Sequence, residues 1–316
     1  MTIEQNSWVN PEKVSFFSLD EFVDKIRLEQ RTLDCLDATS YNFNDYIKFL
    51  KNIYHDDLEE LIIAWLDQGI REQIYSNKIE NHIVYFKDLS KANLFFEKRT
   101  ISHERIKRIH NFVCTNGDVH SSIVGDYRKT PATVGTFIDN KYLLYWNGAE
   151  ASDVKKFMDS FISFYTTNNI KFIYSNPFLK AALAHLLFVR IHPFGDGNGR
   201  SARIIQNIAF TDGINQIYKS KLTLSPINVS QCIAKSKFDY VDILNRIHFN
   251  LDYDNNELIN RWFRYMLFKY DEAMNYQSSR FRSIEGEYKR VLAEAGDASK
   301  QSADKMKVKK LFGNTH

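Results

Sequence analysis

The chain has 316 residues, with 42 Lys and Arg against 39 Asp and Glu, and 44% of it is hydrophobic and 26% charged. Those values lie near globular averages and exclude a fibrous or wholly disordered protein, while a net charge of +3 is too even to argue for a nucleic-acid or membrane-surface partner. Glycine (12) and proline (5) are scarce, so the composition points to a mainly helical chain.

At roughly 100–200 residues per domain, the length fits about two domains. Cys35, Cys114 and Cys232 are far apart and form no CxxC pair, which fits a reducing compartment. The N-terminal residues lack the basic and apolar regions of a signal peptide, and no apolar run is long enough to span a membrane, so the expectation is a soluble cytoplasmic protein.

In chain order, the first hundred residues carry helical patterning, clearest in Leu58, Leu61, Ile62, Trp65, Leu66 and Ile70. Ile101, Ile106, Ile109 and Val113 then share one face of a helix over 100–114. Residues 130–146 change character: Thr133 to Ile138 and Lys141 to Trp146 read as two short strands about an Asp139-Asn140 turn. Helical spacing resumes from Ala151 with Val154, Phe157, Met158 and Phe161. Residues 178–191 form an almost wholly apolar helix, which has to be central because it offers water no polar face. A second helix follows from Asn198 to about Phe210, then others at 228–247 and 256–276, and finally a charged tail rich in lysine.

Between the central helix and its successor lies Ile191-His192-Pro193-Phe194-Gly195-Asp196-Gly197-Asn198-Gly199-Arg200, with Arg203 three residues on. Three glycines within five residues let the backbone approach a ligand, and a helix start supplies unpaired N–H groups and the positive end of a dipole. That is a cradle for phosphate. Arg200 and Arg203 share a face of the second helix and offer two planar forks. Asp196 is a hard oxygen ligand, enough for a Mg²⁺ ion held mostly by substrate phosphates. His192, at the mouth, is suited to accept a proton from an attacking hydroxyl. The segment is neither a P-loop nor a dinucleotide fingerprint, since its glycines run G-x-G-x-G after a helix.

These residues resemble the Fic family motif, HPFx[D/E]GN[G/K]R, matched by 192–200 at every specified position. The resemblance implies an all-α fold with a small β-hairpin flap, and transfer of AMP from ATP to a protein Ser, Thr or Tyr hydroxyl. It implies His192 as base, Asp196 as the Mg²⁺ ligand, and Gly195, Gly197, Asn198, Gly199, Arg200 and Arg203 as the phosphate pocket, with Phe194 anchoring the loop. Gly197-Asn198-Gly199 departs from the Ala-Asn-Lys of the family's kinases and favours nucleotidyl transfer. The strand–turn–strand, preceded by Gly125-Asp126-Tyr127-Arg128, resembles the flap, whose edge pairs with an extended protein target. Tyr240 resembles the family's adenine-contacting aromatic.

Upstream, Ser76-Asn77-Lys78-Ile79-Glu80-Asn81 resembles the family's inhibitory motif, [S/T]xxxE[G/N], placed N-terminal to the core. A Glu80 carboxylate paired with Arg203 would occupy the fork that the γ-phosphate needs. The same glutamate could instead support removal of AMP from a modified target. The organisation expected is an N-terminal helical region over 1–99, a Fic core over 100–240 and a C-terminal helical region over 241–316, with self-modification and monomer–dimer exchange both compatible with the family. The competing readings are another nucleotide or phosphate transfer in the same pocket, and a module that only senses nucleotide. His185, two turns before His192, has no third ligand nearby and reads as a hydrogen-bonded core histidine; the remaining histidines form no ligand cluster.

Overall fold

The computed structural model describes residues 19–53, 101–115, 124–138, 141–166, 172–219, 225–249 and 256–295. Its elements are α1 (Leu19–Lys25), α2 (Gln30–Ile53), α3 (His103–Thr115), β1 (Thr133–Ile138), β2 (Lys141–Asn147), α4 (Val154–Thr166), α5 (Phe172–Ser175), α6 (Pro177–Ile191), α7 (Asn198–Tyr218), α8 (Ser230–Lys235), α9 (Lys237–Phe249) and α10 (Asn256–Ala295). Among the described residues the fold is all-α with one two-stranded antiparallel sheet, as the composition and the hairpin pattern led one to expect.

α6 is the axis of the molecule. All 15 of its residues are buried, Lys180, His185 and Arg190 included. Its start is fixed locally: the Asn176 side chain accepts from the N–H groups of Phe178 (3.0 Å) and Leu179 (3.1 Å), and Pro177 occupies the first turn, where its missing N–H is no loss. α7 returns antiparallel along α6, so that a Cβ on Gly213 would lie only 2.7 Å from the Pro177 Cβ. This is why α7 runs two turns past the end expected near Phe210. Gly213 thus serves close helix packing.

α3, α4 and α10 cover this pair. Ile101, Ile106, Ile109 and Val113 are all buried, as are Val154, Phe157, Met158 and Phe161. Trp262 of α10 donates from Nε1 to the Ala182 carbonyl of α6 at 2.9 Å. α10 also lies along α2, where Asp271 accepts from Thr39 and Asn42 and the Tyr46 hydroxyl meets Gln277. That packing continues to Phe281, so the helix expected to end near 276 extends to Ala295. The single helix expected over 228–247 is two, α8 and α9, broken at Ser236. Leu58 to Ile70 and the segment with Ser76, Glu80 and Asn81 lie outside the described residues. Among the described residues, no helix is long and apolar enough to cross a membrane.

Candidate active site

The loop between α6 and α7 is held from within, from beneath and from the side. Within it, the Asn198 side chain accepts from the Phe194 N–H and donates to the Phe194 carbonyl, both at 2.9 Å. The sequence assigned Asn198 to phosphate binding; here its buried amide closes the turn. Gly197 caps α7 in the left-handed region (φ 75°) with no side-chain cap, so the first-turn N–H groups lack an intrahelical partner, as at any helix start. Asp196 curls over this turn, with Oδ1 accepting from the Gly197 N–H at 2.5 Å and Oδ2 lying 3.6 Å from Arg200 Nη2.

Beneath the loop, the buried Phe194 ring stacks on His110 of α3, centroids 3.7 Å apart and nearly parallel. His110 Nδ1 accepts from the Gly125 N–H (3.0 Å), so it is Nε2–H that donates to the Asp196 carbonyl (2.9 Å). Burial pushes the His110 pKa down to about 4, so the imidazole is neutral in this role. Cys114, one turn on, packs against Gly197: a Cβ there would fall 2.6 Å from its Sγ.

His192 ends α6 in a left-handed conformation (φ 52°, ψ 58°), sparsely populated for any residue but glycine. This turn swings the ring off the helix axis and leaves it half-buried. Nδ1 lies 3.2 Å from the Val189 carbonyl, which can only accept, so Nδ1 carries the proton and Nε2 is the basic atom. Trp146, at the end of β2, meets this ring edge-on at 5.4 Å and lies 4.3 Å from the ring of His248 on its other side. The hairpin joins the loop closely: a Cβ on Gly148 would fall 2.9 Å from both His192 Cβ and Arg128 Nη2.

Arg200 and Arg203 are each 1% exposed on the first turns of α7. Arg200 donates to the Val113 carbonyl of α3 at 3.2 Å. The Arg203 charge adds to burial in pushing the His185 pKa down to about 3. His185 is the core histidine that the sequence suggests. Gln206 donates to the Tyr270 hydroxyl (3.1 Å), so its carbonyl accepts from His185 Nδ1–H (2.6 Å), and His185 Nε2 accepts from the Tyr240 hydroxyl (2.8 Å). Tyr240 is thus 4% exposed, with its hydroxyl committed to the core, an arrangement that does not offer its ring to a base. Phe238, also on α9, is exposed.

A single half-exposed carboxylate, Asp196, beside a helix N-terminus fits a cation that takes most of its ligands from bound phosphate. Among the described residues, no group of three or more His, Cys, Asp or Glu could hold a metal independently. Sequence reasoning missed His110, Cys114 and Gly148, and it named Arg128 only as part of the segment leading into the flap. The four-residue spacing of His110 and Cys114 is the signal that they share a face.

A helix–loop–helix turn with a two-stranded hairpin beside it defines the structural class. Residues 100–210 match the model of the Fic/DOC family. The loop motif at 192–200 lies inside that match, which covers about a third of the chain. The chain is 26% identical over 201 residues to a protein named "Protein adenylyltransferase Fic" from Nematostella vectensis, spanning 59% of this chain and 44% of that one. It is 31% identical over 114 residues to "Protein adenylyltransferase fic-1" from Caenorhabditis briggsae, 35% of this chain and 20% of that one. The chain therefore spans less than half the length of these curated relatives. The crystal structure of a Fic family protein from Desulfovibrio desulfuricans G20 shares the fold at a TM-score of 0.56 and 16% identity, covering 81% of this chain and 76% of that one.

Proposed function

We propose that the protein is a nucleotidyltransferase that moves AMP from ATP to a Ser, Thr or Tyr hydroxyl of a protein target. The observation that carries this reading is the state of His192: Nδ1–H is donated to Val189 and Nε2 is basic, at the mouth of an uncapped helix start. The target oxygen attacks the α-phosphorus while its proton passes to Nε2. The bond from the α-phosphorus to the bridging oxygen breaks, and pyrophosphate leaves. The α7 N–H groups receive the phosphates, and Arg200 and Arg203 supply fixed positive charge. Such preorganised donors usually contribute more than the base, which is worth roughly 10²–10⁴ in rate. Mg²⁺ bound at Asp196 would neutralise phosphate charge and assist departure of pyrophosphate. A target segment would pair with an edge of the two-stranded flap, β1–β2.

The family motif at Ser76–Asn81 supports autoinhibition through Glu80 and Arg203. The test uses ATP labelled at the α-phosphate, with Mg²⁺, on wild type, Glu80→Gly and Glu80→Gly/His192→Ala. Strong label on protein in Glu80→Gly, little in wild type and none in the double variant is the expected result. Transfer of γ-label in place of α-label would replace the reading with a kinase. ATP binding without transfer of either label to the protein itself or to a lysate would replace it with a nucleotide sensor. Equal labelling of wild type and Glu80→Gly would remove the brake alone.

A further inference from the structure

We infer that Arg128 is a positioning residue that fastens the flap to the catalytic base. The inference rests on the reading of His192 as that base. Arg128 lies 64 residues before His192, in the segment leading into β1, and is 7% exposed. One guanidinium reaches three carbonyls. Nε donates to His192 at 2.7 Å, Nη1 to Thr130 at 2.8 Å, and Nη2 to Ala149. Its own N–H donates to the Pro193 carbonyl at 2.9 Å. Thr130 stands just before β1 and Ala149 just after β2, so both ends of the hairpin and the turn holding the base meet on one side chain.

The geometry suits this task and little else. A guanidinium is planar and presents five donors in a fixed fork, so it sets the three carbonyls relative to one another. The carbonyl of His192 belongs to the left-handed residue whose conformation aims the imidazole. Two backbone bonds close the same junction, Gly148 N–H to the Ala132 carbonyl (3.0 Å) and Ala149 N–H to the Ile191 carbonyl (3.3 Å). Gly148 admits no Cβ between Arg128 and His192, so the contact has no slack. A target strand that pairs with the flap is thereby registered against Nε2 of the base.

Lysine at 128 keeps the charge but has one nitrogen, which cannot span three carbonyls. The experiment compares the full chain with Arg128→Lys and, as an independent perturbation of the same junction, Gly148→Ala. Amide exchange is read by mass spectrometry over 130–149 and, as an internal control, over α2 and α10. The ¹⁵N imidazole signals of His192, assigned by their loss in His192→Gln, are read in parallel. The expected result is exchange over 130–149 faster by about tenfold, the worth of a lost hydrogen bond, with α2 and α10 unchanged and the His192 signals shifted. In transfer assays, kcat falls by roughly 10²-fold while KM for ATP is unchanged, as for a misplaced base. Unchanged flap exchange and His192 signals in both variants would overturn the inference, as would equal acceleration across the whole chain. Should wild type transfer no AMP, the proposed activity fails alone, because exchange and imidazole signals still decide the role of Arg128.

Discussion

Replacing Gly197 by alanine adds one methyl group at the point where the loop turns into α7, and two separable penalties follow. The residue has φ 75°, where an L side chain costs about 1–2 kcal/mol. The new Cβ would also lie 2.6 Å from Cys114 Sγ, against about 3.5–4.0 Å for an unstrained heavy-atom contact. Closing that gap within a packed site costs about 1–3 kcal/mol. The single variant should therefore lose about 2–5 kcal/mol, a large share of the roughly 5–15 kcal/mol that holds a domain folded. Cys114→Ala removes the offending sulfur at the cost of about 1 kcal/mol of buried side chain. Urea denaturation of wild type, both single variants and the double variant closes the cycle. The double variant should be less damaged than the sum of the singles by about 1–3 kcal/mol, with the conformational penalty and the cost of the Cys114 truncation left over. A coupling smaller than about 0.5 kcal/mol would refute the packing of Gly197 on Cys114, and with it the account of how α3 supports the loop.

Asn176→Ala should cost about 1 kcal/mol in thermal or urea unfolding by leaving the α6 start uncapped, and Asn176→Asp should restore most of it. Gly213→Ala should cost about 1–3 kcal/mol in the same assays, because its Cβ would press on Pro177, although alanine is the better helix former. Acid should destabilise the fold: His185 stays neutral until about pH 3 when folded, whereas the unfolded chain takes up that proton near pH 6.5. Its stabilising contribution is therefore complete above about pH 6.5 and declines as pH falls, by about 2 kcal/mol at pH 5, and urea midpoints across pH 5–8 should show the loss diminished in His185→Gln.

The candidate loop was legible because it is contiguous. His192, Asp196, the glycines and the arginines lie within twelve positions, and the helix start that organises them follows from Pro193 and the glycine run. The hairpin was legible for a similar reason, since alternation and the Asp139-Asn140 pair are local, and β1 and β2 begin and end within one residue of the expected bounds. What escaped was long-range support. Nothing in the sequence around His110 says that its ring lies under Phe194, 84 positions away, or that Arg128 reaches the His192 carbonyl. The close approach of Gly213 to Pro177, 36 positions away, was likewise not legible. The fold also uses the Tyr240 hydroxyl for His185 and the Asn198 amide for the Phe194 backbone, partners that are 55 and 4 positions away.

The buried polar groups around the site divide into two sets. His110, His185 and His248 are all kept neutral, first by burial, and then each by a neighbouring arginine: Arg200 for His110, Arg203 for His185 and Arg190 for His248. Positive charge in the core of the site thus resides on guanidiniums, which do not titrate, while the imidazoles act as neutral hydrogen-bonding parts. A permanent buried cation lowers stability unless an anion answers it. At Arg200, the Val113 carbonyl and the half-exposed Asp196 carboxylate, 3.6 Å away, already face the guanidinium. A bound polyphosphate would add further anionic partners. ATP with Mg²⁺ should therefore raise the unfolding midpoint in proportion to the logarithm of its concentration, and Arg200→Gln should reduce that increase. An equal increase in wild type and Arg200→Gln would show that the guanidinium takes no part in holding the polyphosphate, and the assignment of Arg200 to the phosphates would fail.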